Sequence, residues 1–249
     1  MKRILYLVRQ AAYTVFSFCY FIGLAVEMTV RGFFLITLGG ATDENKLKYH
    51  RLLQRRAKFV VNHIPGTTFT YDNPQEETFE RPAVIVSNHQ SHLDLMAIIM
   101  LTPKLIILTK GWVWHNPFYG IVIRYADYFP ITDTENMAAV VEEKVGKGYS
   151  VVIFPEGTRS PDCHIQRFHR GAFYLAEKLS MDIIPVFIKG FGQVLPKTSW
   201  HLHPGQMSLE VMPRIRRDDA QQMCGYREMT RKLHGMYVKK NEEEVHRHR

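Results

Sequence analysis

Five short apolar runs rich in β-branched residues, with helical stretches between them, constrain this chain more than any other feature. They are Ala83–Ser87 (AVIVS), Leu105–Thr109 (LIILT), Val151–Phe154 (VVIF), Ile183–Ile188 (IIPVFI) and Met207–Met212 (MSLEVM). Runs of this length and composition read as strands. Helical patterns lie between them at Leu93–Leu101, Asn116–Tyr125, Asn136–Lys147 and Gly171–Leu179, and a last amphipathic helix is expected over Gln221–Lys239. The alternation predicts an α/β fold, with a mixed, mainly parallel sheet covered by helices. In such sheets chemistry gathers where a strand ends and the next helix begins.

The N-terminus follows different rules. Ala11–Val26 (AAYTVFSFCYFIGLAV) is nearly all apolar; Glu27 and Arg31 follow, then a second apolar run, Gly32–Gly40. The first run is short for a spanning helix and the second far shorter. Tyr6, Tyr13, Phe16, Phe18, Tyr20 and Phe21, with Lys2, Arg3 and Arg9 ahead of them, suit a lipid–water interface. Residues 1–42 are therefore expected to be a membrane-associated pair of helices dipping into one leaflet, with the rest of the chain on the cytoplasmic face of the inner (plasma) membrane. A single spanning helix and a buried core helix are the competing readings. Residues 43–240 form the expected second unit, and 241–249 a solvated tail.

Asn45–Val61 has a helical pattern, and within it KLKYHRLLQRRAK carries seven Lys, Arg or His side chains. That is either a solvated basic face or a contact for anionic lipid. The formal net charge of +8 over 249 residues favours acidic partners. No helix-turn-helix, zinc-finger or RNP pattern accompanies it, so nucleic acid is not expected. Cys19, Cys163 and Cys224 form no CxxC pair and read as reduced thiols.

AVIVS runs directly into Asn88-His89-Gln90-Ser91-His92-Leu93-Asp94. A histidine on the loop can turn back toward a carboxylate in the first helical turn. Asp94 would then accept the Nδ1–H and fix the tautomer, leaving Nε2 to take a proton from a substrate hydroxyl. His92 is a rival base, and His89, His92 and Asp94 together sketch a metallohydrolase, although Leu95 stands where a further ligand would be wanted. VVIF ends in Pro155-Glu156-Gly157-Thr158-Arg159-Ser160. There Gly157 permits close backbone approach, the N–H groups of Gly157 and Thr158 can face an anion or oxyanion, and Arg159 offers a fork for phosphate.

The two motifs together resemble the glycerolipid acyltransferase family, typified by 1-acylglycerol-3-phosphate acyltransferase. Phe168-His169-Arg170-Gly171-Ala172, Ile184-Pro185-Val186 and the block from Lys110 through Pro117-Phe118-Tyr119-Gly120 agree in order and spacing, so the likeness spans roughly Pro82 to Gly190. The resemblance implies His89 as general base and Asp94 as its partner. It implies Glu156, Gly157, Thr158 and Arg159 as binders of a lysophospholipid acceptor and its phosphate, and Pro185 with its strand as a wall of the acyl site. It also implies acyl-CoA or acyl-acyl carrier protein as donor, no metal or cofactor, and a place in phospholipid biosynthesis. One position departs from the pattern: Asp133 stands where the family carries a phosphate-binding arginine. Lys110, Arg124 or Arg170 are the cations available to replace it, and a lyso-aminolipid acceptor is the alternative.

Three smaller features complete the reading. Trp112 and Trp114 are expected in the core or along an acyl tunnel. His201-x-His203 is expected in an exposed loop rather than on a metal. Met223, Tyr226, Met229, Leu233, Met236 and Tyr237 are expected to form the core stripe of the last helix.

Overall fold

The β-branched runs become strands, and the one buried along its whole length lies at the centre of the sheet. In the computed structural model, which describes residues 2–109, 111–117, 120–130, 134–199, 201–222 and 225–246, the chain begins with α1 (Lys2–Gly32), continues as a π-helical turn (Phe33–Leu38), and proceeds to α2 (Asp43–His63), β1 (Thr67–Asp72), β2 (Ala83–Ser87), α3 (Asp94–Ile99) and β3 (Leu105–Thr109). Then come α4 (Gly111–Trp114), α5 (Gly120–Tyr125), β4 (Phe129–Pro130), α6 (Thr134–Gly146), β5 (Ser150–Ile153), α7 (Gly171–Lys178) and β6 (Asp182–Lys189). The chain closes with α8 (Phe191–Val194), β7 (Gly205–Val211), α9 (Arg217–Gln222) and α10 (Tyr226–His246).

The described strands form one sheet in the order β1-β7-β6-β2-β5-β3-β4. Every pairing is parallel except β6 with β7. β2 is buried along its whole length between β6 and β5. Its side chains alternate between two cores. Ala83 and Ile85 join Ile107, Val152 and Ile184 under α1, α2 and α3, while Val84 and Val86 join Ile106, Val151 and Ile183 under α6, α7 and α10. Each such Val or Ile contributes about 1.5–3 kcal/mol on burial, which fixes the register of the central strands.

Pro185 interrupts the ladder because it has no N–H. The buried Tyr237 hydroxyl from α10 reaches this point, donating to the Val86 carbonyl at 2.7 Å while accepting the Val186 N–H at 3.0 Å. Met229, Leu233 and Tyr237 of the expected stripe are core residues; Met236 is exposed, and Met223, like Cys224, lies outside the described residues.

Four expectations are corrected. The N-terminal pair of helices is one helix, which passes through Glu27 and Arg31 into the π-helical turn. Glu27 does not break it because Arg31 (2.8 Å) and Arg56 of α2 (2.5 Å) neutralise its carboxylate. Asn116–Tyr125 is not a single helix: Pro117 cannot continue one, so α4 ends before it and α5 starts after it. The last helix spans Tyr226–His246 rather than Gln221–Lys239, and so runs into the residues expected as a solvated tail. Finally, β1 and β4 were not expected: β1 is a largely exposed edge strand and β4 has two residues, one of them proline.

α1 lies along the body rather than apart from it. The Thr14 hydroxyl accepts the Leu202 N–H at 3.2 Å, Gln10 bonds His203 Nδ1 at 2.8 Å, and Ser17 and Met28 are buried. At its other end Gly32 meets the Tyr125 ring so closely that a Cβ there would sit 2.3 Å away. The opposite face exposes Ile4, Val8, Val15, Ile22, Val26 and Val30, an apolar stripe at helical spacing. Among the described residues, one helical stretch, Val8–Leu38, is long and apolar enough to cross a membrane.

Candidate active site

The site forms where β2 and its parallel neighbour β5 end side by side. From β2 the chain enters the loop Asn88–Leu93, and from β5 it enters Phe154–Ser160. Asn88 anchors the first loop to the other neighbour, β6. Its buried amide donates to the Ile188 carbonyl and accepts the Ile188 N–H, both at 2.8 Å.

His89 Nδ1 lies 2.8 Å from Asp94 Oδ2. Asp94 is fully buried, and the same oxygen accepts the N–H groups of Gln90 (2.5 Å) and Ser91 (2.8 Å). The carboxylate thus shapes the loop as well as holding the ring. Its Oδ1 has no partner among the described residues. The His89 ring stacks on Phe154, with centroids 4.3 Å apart and planes inclined by 26°.

The second loop also grips the His89 backbone. Glu156 Oε1 accepts the His89 N–H at 2.8 Å, and the Ser160 N–H donates to the His89 carbonyl at 2.7 Å. Glu156 Oε2 accepts the Gln166 N–H at 3.0 Å. Glu156 is only 4% exposed, and burial pushes its pKa up to about 7 against the pull of the two N–H bonds. Its carboxylate is therefore occupied by the protein's own backbone, a position that the expectation of acceptor binding did not foresee.

The expected pair of anion-facing amides is corrected at one position. Gly157 closes a turn, adopts φ 64°, and donates its N–H to the Phe154 carbonyl at 3.0 Å. The Thr158 N–H makes no such bond among the described residues, and Thr158 is exposed. Lys197, which nothing in the local sequence pattern singled out, reaches this loop from beyond α8. Its ammonium donates to Thr158 Oγ1 (3.2 Å) and to the Arg159 carbonyl (2.7 Å).

His92 is mostly buried, and burial first, then the charges of Arg159 and His89, push its pKa down to about 4. It is a weak base beside Arg159, and among the described residues no carboxylate orients its ring. No group of three or more His, Cys, Asp or Glu side chains among the described residues converges as a metal-binding set, so the structure does not favour the metallohydrolase reading. His203 of the expected exposed pair is bonded to α1.

Arg124 is engaged elsewhere: at the end of α5 its guanidinium donates to the Trp114 carbonyl at 3.2 Å, and no bond among the described residues joins it to the loops around His89. Lys110 and Asp133 lie outside the described residues, as does the Trp112 side chain.

With two motif loops converging on one histidine, the chain can be compared with known proteins. Residues 50–189 match the Acyltransferase family, and the chain belongs to that family. The fold is shared with the crystal structure of the 1-acyl-sn-glycerophosphate acyltransferase PlsC from Thermotoga maritima, at a TM-score of 0.74 and 22% identity over 95% of this chain and 97% of that one. Among curated relatives, a chloroplastic 1-acyl-sn-glycerol-3-phosphate acyltransferase of Arabidopsis thaliana is 33% identical over 48% of this chain and 35% of its own length. The 1-acyl-sn-glycerol-3-phosphate acyltransferase beta of Homo sapiens is 30% identical over 73% of this chain and 66% of its own. The match thus spans about a third of the length of the first relative and just under two thirds of the second.

Proposed function

We propose that this chain transfers a fatty acyl group from a thioester, acyl-CoA or acyl-acyl carrier protein, to the free hydroxyl of a 1-acylglycerol-3-phosphate-like lysophospholipid. The observation that carries the reading is the His89–Asp94 pair, fixed at the joint mouth of β2 and β5 with Nε2 unbonded among the described residues. The names of the relatives point to the same chemistry.

In the proposed mechanism, His89 Nε2 takes the proton as the acceptor oxygen attacks the thioester carbonyl. Asp94 holds the Nδ1 proton and stabilises the imidazolium. The carbon–sulfur bond then breaks, and the imidazolium returns its proton to the leaving thiolate. The Thr158 N–H is the amide available to the developing oxyanion, and Arg159 and Lys197 are the cations beside it.

The same reading places the enzyme on one leaflet, at the cytoplasmic face of the inner (plasma) membrane. Bonds of Gln10 to His203 and of Thr14 to Leu202, with the packing of Gly32 against the Tyr125 ring, tie α1 to the body along one side, and its other side is apolar. A helix held in that way suits burial in the plane of the interface better than a crossing of the bilayer.

Incubating the purified protein with a panel of lysolipids and both donor types, read by mass spectrometry, tests the proposal. His89→Ala is expected to lower transfer by about a hundred- to ten-thousand-fold with the fold intact. Normal turnover by that variant, or an acyl-enzyme adduct formed with donor alone, would overturn the mechanism.

A further inference from the structure

Where the π-helical turn passes over α2, an open groove of about 510 Å³ is lined by two facing stripes. From α2 come Lys48, Arg51, Leu52 and Arg55, at the spacing that places side chains on one face. From the other side come Arg31, Phe34 and Leu35. None of these residues belongs to the loops around His89.

The charges in the groove are not balanced. Arg31 is paired with Glu27 and Lys48 with Glu44, both within their own helices. Arg51 and Arg55 are exposed and form no ion pair among the described residues. Two guanidiniums one turn apart, with two further cations beside them, repel one another unless an anion lies between. A guanidinium is also the side chain best matched to phosphate oxygens. The rest of the lining is apolar, and Phe34 is 61% exposed at the point where the groove joins the bare stripe of α1.

From the groove's charge, its apolar wall and its continuity with that stripe, we infer that it binds one anionic glycerophospholipid of the bilayer, phosphate on Arg51 and Arg55, acyl chain along Phe34, Leu35 and Leu52. The site is separate from the acyl-transfer centre and stands without the proposed reaction. An acidic protein surface would meet the same cations but would leave uncovered the apolar wall that continues the bare stripe of α1.

The test uses the full chain in a neutral detergent, titrated with dioctanoyl phosphatidylglycerol, dioctanoyl phosphatidylcholine or inorganic phosphate, with bound lipid counted by native mass spectrometry. One equivalent of phosphatidylglycerol is expected to bind saturably, at least tenfold more tightly than phosphatidylcholine, with no uptake of phosphate alone. The double variant Arg51→Gln, Arg55→Gln is expected to lose that binding at least tenfold, and Phe34→Ser to weaken it. Circular dichroism checks that both stay folded. His89→Ala is expected to bind as wild type, which separates the groove from the acyl-transfer site. Equal binding of the neutral lipid, equal binding by the double arginine variant, or loss of binding in His89→Ala would each overturn the inference. So would a double variant whose only change is a higher KM for acyl-acyl carrier protein.

Discussion

Replacing Glu156 with glutamine separates a positioning role from acceptor binding, because the two roles have different pH signatures. The carboxyl is 4% exposed and receives the N–H groups of His89 and Gln166. Its pKa rises from 4.5 to about 7, with burial as the leading cause. Between those values the folded protein keeps a proton that the unfolded chain has released. Stability therefore falls as pH rises through that window and levels off above it. A rise of that size corresponds to about 3 kcal/mol at about 1.4 kcal/mol per pH unit.

Glutamine cannot ionise. It keeps one acceptor but turns an NH2 toward the second backbone N–H, leaving a buried donor unpaired at a cost of about 1–3 kcal/mol. At pH 5 Glu156→Gln is expected to melt below the wild type by about 2–12 °C. By pH 8 the wild type has lost its own ~3 kcal/mol, and the two melting curves should meet or cross. In turnover assays the looser His89 backbone is expected to lower kcat on the order of 10–100-fold, with KM for the lysolipid unchanged. A melting difference equal at both pH values would refute the burial argument. A raised KM at constant kcat would return Glu156 to the acceptor-binding role.

Three further outcomes follow from the same geometry. Asn88→Ala strands a buried N–H and a buried carbonyl on β6, so chemical denaturation should report a loss of about 2–6 kcal/mol. Lys197→Gln removes a half-exposed cation from the Thr158–Arg159 loop; steady-state kinetics should show KM for a phosphate-bearing acceptor up about fivefold, an effect that fades at high salt. Serine at Val15, Phe16, Ile22 and Val26 removes four exposed apolar side chains, each worth about 1.5–3 kcal/mol when fully buried in lipid, and co-sedimentation with vesicles should fall by orders of magnitude without a change in melting temperature.

What could be read from the sequence was local. AVIVS and LIILT are legible as strands because both faces of each are buried, and the bounds of β2 and β3 coincide with those runs. His89 and Asp94 are legible as a pair because they lie only five positions apart, across one loop and the first helical residue. The contacts that hold the pair in place are not local. Glu156 is 67 residues from the amide it receives, Asn88 is 100 residues from Ile188, and Lys197 is 38 residues from the carbonyl it holds. Strand order brings each of them in, and a one-dimensional pattern carries no strand order. The helical break expected near Glu27 failed for the same reason: its neutralising partner, Arg56, lies on the next helix. A weak signal for Glu156 did exist, in a carboxylate set between an all-apolar strand and a turn glycine with no nearby basic residue before Arg159.

The side chains around His89 also bear on which oxygen attacks. A covalent route needs a protein nucleophile within reach of the imidazole, and the three serine hydroxyls of the two loops and the strand end before them are already committed. Ser87 donates to the Asn88 carbonyl at 3.0 Å, Ser91 to the Leu195 carbonyl at 2.9 Å, and Ser160 to Asp162 at 2.9 Å. Burial pushes the Cys163 thiol up, away from thiolate. The imidazole itself is held on every side: Asp94 and Phe154 fix its ring, and Glu156 and Ser160 fix its backbone. A base so rigid, with the Ser87, Ser91 and Ser160 hydroxyls bonded elsewhere, fits a reaction in which the attacking oxygen arrives on the substrate. Under the proposed reaction, that places the demand for precision on how the lysolipid is presented, and hence on the helix that lies along the body with its apolar face bare.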